Sequence, residues 1–106
     1  MKDRSEHLAR MEARRAYCRK FVTPAILEVA KVYVPLNEDP RPKMMGTLEH
    51  EAYWDAHERL SRVVHNEARY PSEDELWVAA QEVARTELEA EGYKRPEYEY
   101  PVTANA

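Results

Sequence analysis

The sequence predicts an all-α single domain, a bundle of about four helices at roughly 4–22, 24–34, 48–68 and 73–91, with a Pro-rich loop at 35–46 and an extended tail at 93–106. Three observations lead to that class. Glycine is scarce, at 2 of 106 residues, and the abundant Ala, Glu, Arg and Leu lose little rotamer freedom in a helix. The β-branched and aromatic residues are too few and too irregularly placed for alternating strands. Capping signals, finally, divide the chain into helix-sized pieces.

The first helix is expected to open at Asp3, which has capping-box spacing to Glu6. Leu8, Met11, Cys18 and Val22 then fall on one side, with Arg15 among them and Tyr17 and Phe21 flanking. Thr23-Pro24 reads as an N-cap followed by proline at the first helical position, where the missing N–H costs nothing. The run PAILEVAKVYV is apolar on nearly every side except Glu28 and Lys31, so it is expected to be the most buried element. A strand through KVYVP is the alternative there. Residues 35–46, PLNEDPRPKMMG, carry three prolines and a closing glycine and read as a loop. One methionine of KMM is expected to plug the bundle end, the alternative being an exposed hook. Thr47 caps the third helix, and Tyr70-Pro71 stops it. Ser72 and Glu75 form a second capping box, and Gly92 is the stop of the fourth helix. The tail is expected to dock in part through Tyr93, Tyr98 or Tyr100.

The net charge of −4 is unevenly spread. Residues 1–20 hold seven Lys/Arg against three acids, or +4, whereas residues 47–106 hold six against fourteen, or −8. Such polarity suits a basic arm that meets phosphate or an acidic partner, or two parts of one bundle that attract each other. Cys18 is the single cysteine, which excludes an intrachain disulfide and fits a reducing cytoplasm. No apolar run approaches the ~20 residues of a membrane span, and the start lacks a signal-peptide core. A soluble cytoplasmic protein, bacterial or phage-encoded, is expected.

On a helical wheel of the third helix, Leu48, Ala52, Ala56, Leu60, Val63 and Val64 form a core stripe with Tyr53 at its margin. His50, Trp54, His57, Ser61 and His65 gather on roughly the opposite side. A metal ion needs ligands that converge, and His50 and His57 are seven residues apart. That is about 10 Å along a helix, so no metal is expected there. The carboxylates fit i,i+4 pairs, Asp55 with Arg59 and Glu58 with Arg62. No Gly-x-Ser-x-Gly, phosphate-loop or dinucleotide signature occurs, so neither an enzyme nor a cofactor is expected. Cys18, alone on an apolar face, reads as a small buried hydrophobe and not as half of a Cys–His dyad.

Binding is the class left. Trp54, with His50, Tyr53, His57, Ser61 and His65 around it, has the composition of an interface anchor for a protein partner, or for a homodimer. The competing role for Trp54 is to cover the loop or tail of its own chain. Trp77 falls on the side of Leu76, Ala80, Val83, Ala84 and Leu88 and is expected in the core. Arg10, Arg14, Arg15, Arg19 and Lys20 carry the alternative reading, nucleic-acid contact by a basic helix. They spread around the wheel, so packing of this helix across the acidic fourth helix explains them equally well.

The runs FVTPAILEVA and LEHEAYW…ERL look like two blocks of the small theta subunit of bacterial replicative DNA polymerase, a non-catalytic three-helix partner of the proofreading exonuclease. The likeness is confined to those blocks, needs a one-residue shift in the second, and spans a Pro-rich loop that family lacks. It implies a binding role and no family assignment. The sequence thus reads as a small adaptor, accessory subunit or inhibitor of a larger, nucleic-acid-processing assembly, of the type to which phage-encoded anti-CRISPR proteins belong.

Overall fold

The computed structural model describes residues 4–41, 43–68 and 71–96. Four helices follow one another: α1 (Arg4–Arg19), α2 (Pro24–Glu38), α3 (Leu48–Glu67) and α4 (Glu73–Ala90). Local chemistry sets most of their ends. The Thr23 hydroxyl accepts the Ile26 N–H at 3.3 Å and the Thr47 hydroxyl that of His50 at 3.2 Å. Ser72 and Glu75 close a reciprocal capping box. At the far end of α4, Gly92 turns to φ 103° and lets the Tyr93 N–H reach the Leu88 carbonyl at 2.9 Å. A side chain at position 92 would strain this left-handed closure. The expected roles of Asp3, Tyr70, Tyr98 and Tyr100 lie outside the described residues.

The core is a three-helix packing with α2 at its centre. Ile26, Ala30, Tyr33 and Val34 of α2 meet Ala56, Leu60 and Val64 of α3 and Leu76, Ala80 and Ala84 of α4. The alanines let the helices approach closely, while Ile26, Leu60 and Leu76 fill the space between. Trp77 packs against this cluster, on the side the sequence places it.

Four expectations are corrected. Helix α1 ends at Arg19, not residue 22, because Lys20, Phe21 and Val22 bond back three residues in a tightened exit. The Thr23 cap then holds extended backbone before Pro24. Helix α2 runs past the expected 34 to Glu38, with Pro35 inside it. Proline removes one N–H there, but Glu38 is anchored by α4 and Tyr93, and the Pro35 carbonyl still accepts the Asp39 N–H at 3.2 Å. Leu48, expected in the core stripe, is 80% exposed on the first turn of α3. Met44 and Met45 are both exposed, so neither plugs the bundle end; Lys43 lies over the Tyr53 ring instead, 4.9 Å from its centroid.

Helix α1 stands apart, since among the described residues the only helix it packs against is α4. Every residue from Arg4 to Ala16 is exposed, and Leu8 and Met11, expected on a packed side, are open to solvent. Docking is confined to the last turns. Cys18 is buried there, Arg14 grips Glu75 with two bonds of 2.6 and 3.1 Å, and Arg19 reaches Glu82 at 2.8 Å. The Arg14 guanidinium is the main reason the Glu75 carboxyl titrates at about 2. A carboxyl depressed in the folded state adds stability above its ordinary range, lost only as pH falls toward that value. The Arg14–Glu75 pair therefore outlasts mild acid.

Burial, and then the neighbouring Glu75 carboxylate that accepts its S–H at 3.5 Å, push the Cys18 thiol above its usual value. Its alkylation in the native protein is expected to be at least about tenfold slower than in urea. Arg14→Ala should speed native labelling by loosening α1. Equal rates in native and unfolded protein would show that the docking of α1 on α4 does not shield Cys18.

Candidate protein-binding site

Three helices build the site. The stiff, largely apolar α2 brings Tyr33, α3 brings His50, Tyr53, Trp54 and His57, and α4 brings Trp77. The His57 ring lies 5.2 Å from Trp54, 5.2 Å from Trp77, 5.8 Å from Tyr33 and 6.2 Å from Tyr53, mostly edge to face. Such contacts add to simple burial because ring edges and faces carry opposite partial charge. Asn37, which no wheel of α3 can bring into view, accepts the Tyr33 hydroxyl at 3.1 Å and the Tyr53 hydroxyl at 3.3 Å. Burial, and the Tyr53 hydroxyl alongside, raise the Tyr33 phenol above its usual value, so it stays a protonated donor.

Trp54 is half exposed, at 50%, and yet held in place. Its indole N–H donates to His50 Nε2 at 3.0 Å, one α-helical turn away. That nitrogen is therefore unprotonated in this arrangement. Tyr53 meets the indole edge to face with centroids 5.2 Å apart. Beyond the ring, a shallow groove along α3 runs past Leu48 and Ala52, with Glu51, Asp55 and Glu58 on its rim. Asp55 and Glu58 take their expected partners, Arg59 at 3.1 Å and Arg62 at 2.7 Å.

The expected face of His50, Trp54, His57, Ser61 and His65 is contiguous, but it does not lie opposite the core. Measured from Leu60 at 100° per residue, His57 is only about 60° away and Trp54 about 120°. The face is a flank of α3 that turns from the α4 groove out to solvent. His57 and Ser61 line a cleft of about 350 Å³ with Tyr33 and Trp77, while His65 is exposed and meets Glu73 at 2.5 Å. Trp54 sits between His50 and His57, so the two imidazoles face indole and not each other. Among the described residues no three His, Cys, Asp or Glu side chains are grouped as a metal ion needs.

The basic set divides in two. Arg14, Arg15 and Arg19 turn to Glu75 and Glu82 on α4, the arrangement the opposite charges of these helices suggest. Arg10 and Lys20 stay exposed and pair with no acid among the described residues. No described helix is long and apolar enough to cross a membrane. No family model, curated protein or solved structure matches the chain.

Proposed function

We propose that this protein works by binding a protein partner through the Trp54 flank of α3, without catalysis of its own, as an adaptor, accessory subunit or inhibitor of a larger assembly. The observation that carries the reading is a tryptophan half exposed and immobilised by His50, Tyr53 and His57. A large ring already fixed in one orientation loses little entropy on docking, which is why such residues dominate interface energetics. Exposed Leu48 in the same groove extends the apolar area, and Glu51 on its rim, with no ion-pair partner among the described residues, favours a partner with a basic group beside an apolar surface. Nucleic-acid contact is less favoured, because three of the five basic residues that suggest it are engaged by α4 acids. The narrower reading, an anti-CRISPR-like phage inhibitor, draws on the type of chain alone, and nothing on the α3 flank favours it over an adaptor.

Trp54→Ala tests the proposal. Loss of a central anchor is expected to weaken partner capture from the native cell roughly thirtyfold, about 2 kcal/mol, with thermal unfolding nearly unchanged. Undiminished capture, or a stability loss of several kcal/mol, would instead make Trp54 an internal cover.

A further inference from the structure

The exposed end of α1 and the groove beside its docked end belong together. Arg14 and Cys18 reach Glu75, whereas Arg15 and Arg19 reach Glu82, seven residues further along α4. Glu75 and Glu82 are thus about 10 Å apart on the axis, so α1 lies across α4 and not along it. Residues 4–13 extend beyond the crossing by about 15 Å, and all of them are exposed. Helical segments this short are marginal in water unless an apolar face is covered. The face in question holds Leu8, 55% exposed, and Met11, 45% exposed, between Arg4, His7 and Arg10.

At the crossing itself, a groove of about 280 Å³ lies between α1 and α4, with Arg14 and Arg15 on its α1 wall and Cys18, Val78 and Ala79 as its apolar floor. Val78 is 46% exposed, and Asp74 at the groove edge has no ion-pair partner among the described residues. An apolar strip flanked by Arg4 and Arg10, which have no ion-pair partner among the described residues, and an apolar groove edged by Asp74 are thus both left open.

We propose that a second copy of this chain covers both. In a two-fold dimer, the projecting α1 end of each copy lies in the α1–α4 groove of the other. Leu8 and Met11 then cover Val78, and the free cations approach Asp74. The two-fold axis makes the exchange reciprocal, so each surface is used once per copy and the contact closes at two. The buried area is set by about three turns of helix on each side. That falls in the small class of interfaces, below about 1,200 Å² in total, so the dimer is weak and dissociates on dilution. Its partly ionic character makes it weaken with salt. The inference is independent of the α3 flank.

Analytical ultracentrifugation of the full chain over about a hundredfold range of concentration tests it. The wild type is expected to pass from monomer to dimer, with the midpoint moving to higher concentration in high salt. Leu8→Glu with Met11→Glu should be monomeric throughout, with helicity by circular dichroism close to wild type. Val78→Glu, on the firmly packed α4, should show the same loss without touching α1. Trp54→Ala should dimerise like wild type. A wild type that stays monomeric overturns the proposal, as does a dimer that survives both sets of substitutions. A dimer dissolved by Trp54→Ala would place the contact on α3 and overturn it equally.

Discussion

Leu60→Ala is expected to remove about 3 kcal/mol of folding stability and to lower the thermal midpoint by roughly 15 °C. Leu60 is fully buried at the middle of α3, facing the α2 and α4 core residues. Two features place the effect well above a simple transfer term. The surrounding alanines, Ala30, Ala56, Ala80 and Ala84, have no rotamers with which to fill a void. The three helices are already in close contact, so the space left by the isobutyl group stays largely empty. Small domains have only about 5–15 kcal/mol in hand, and this loss is a large part of it. Leu8→Ala is the control. On the exposed strip of α1 it should change monomer stability by no more than about 0.5 kcal/mol. Urea unfolding followed by circular dichroism checks both, and comparable losses for the two leucines would mean that α1 is packed into the core.

The contrast between these leucines shows where sequence reasoning reaches and where it stops. Capping at Thr23, Thr47, Ser72 and Gly92 is legible because donor and acceptor lie within a few residues of each other. The burial of α2 is legible because it is apolar almost all round. A wheel, however, reports which residues share a side and not whether a neighbour extends far enough to cover them. Leu48 and Leu60 share a stripe, but α3 begins beyond the packed part of the bundle, and Leu48 is left in solvent. The same holds for Leu8 and Met11 on α1. Charge asymmetry between the ends of the chain is plain from composition, whereas the pairing of Arg14 with Glu75 and Arg19 with Glu82 is a property of the crossing. Trp54 stands out in the sequence by its histidine neighbours. Its immobilisation depends on Tyr53 and His57, and these are positioned by Tyr33 and Asn37 from another helix.

The least legible element is Glu38, which sits among prolines in the sequence and is one of the most buried charges in the fold. Its side chain is 4% exposed and pairs closely with Arg85 of α4, a contact without a well-aligned hydrogen bond, while Tyr93 donates its hydroxyl at 3.0 Å. Burial, and then Glu38 itself, raise the Tyr93 phenol, which keeps it a protonated donor. The trio ties the end of α2 to α4 and to the segment after it, and so carries α2 past Pro35.

Arg85→Ala is expected to destabilise the protein by about 2 kcal/mol, because it strands a desolvated carboxylate with a single hydroxyl partner. The figure lies below the usual range for a broken buried pair, since Arg85 is 43% exposed and water screens part of the interaction. Glu38→Leu alone should cost less, about 1 kcal/mol, as it removes the buried charge and leaves Arg85 free to turn outward. Glu38→Leu with Arg85→Ala is expected to return to within about 1 kcal/mol of wild type, since no desolvated charge then remains and the Arg85 Nε, which lacks an acceptor among the described residues, is gone. The cycle, measured by urea unfolding, should therefore show non-additivity of about 2–3 kcal/mol. Strict additivity would mean that the two side chains act separately. Asn37, which anchors Tyr33 and Tyr53, immediately precedes Glu38. Arg85→Ala should for that reason also alter the near-ultraviolet circular dichroism of the aromatic cluster, whereas the double variant, with the end of α2 packed again, should restore it.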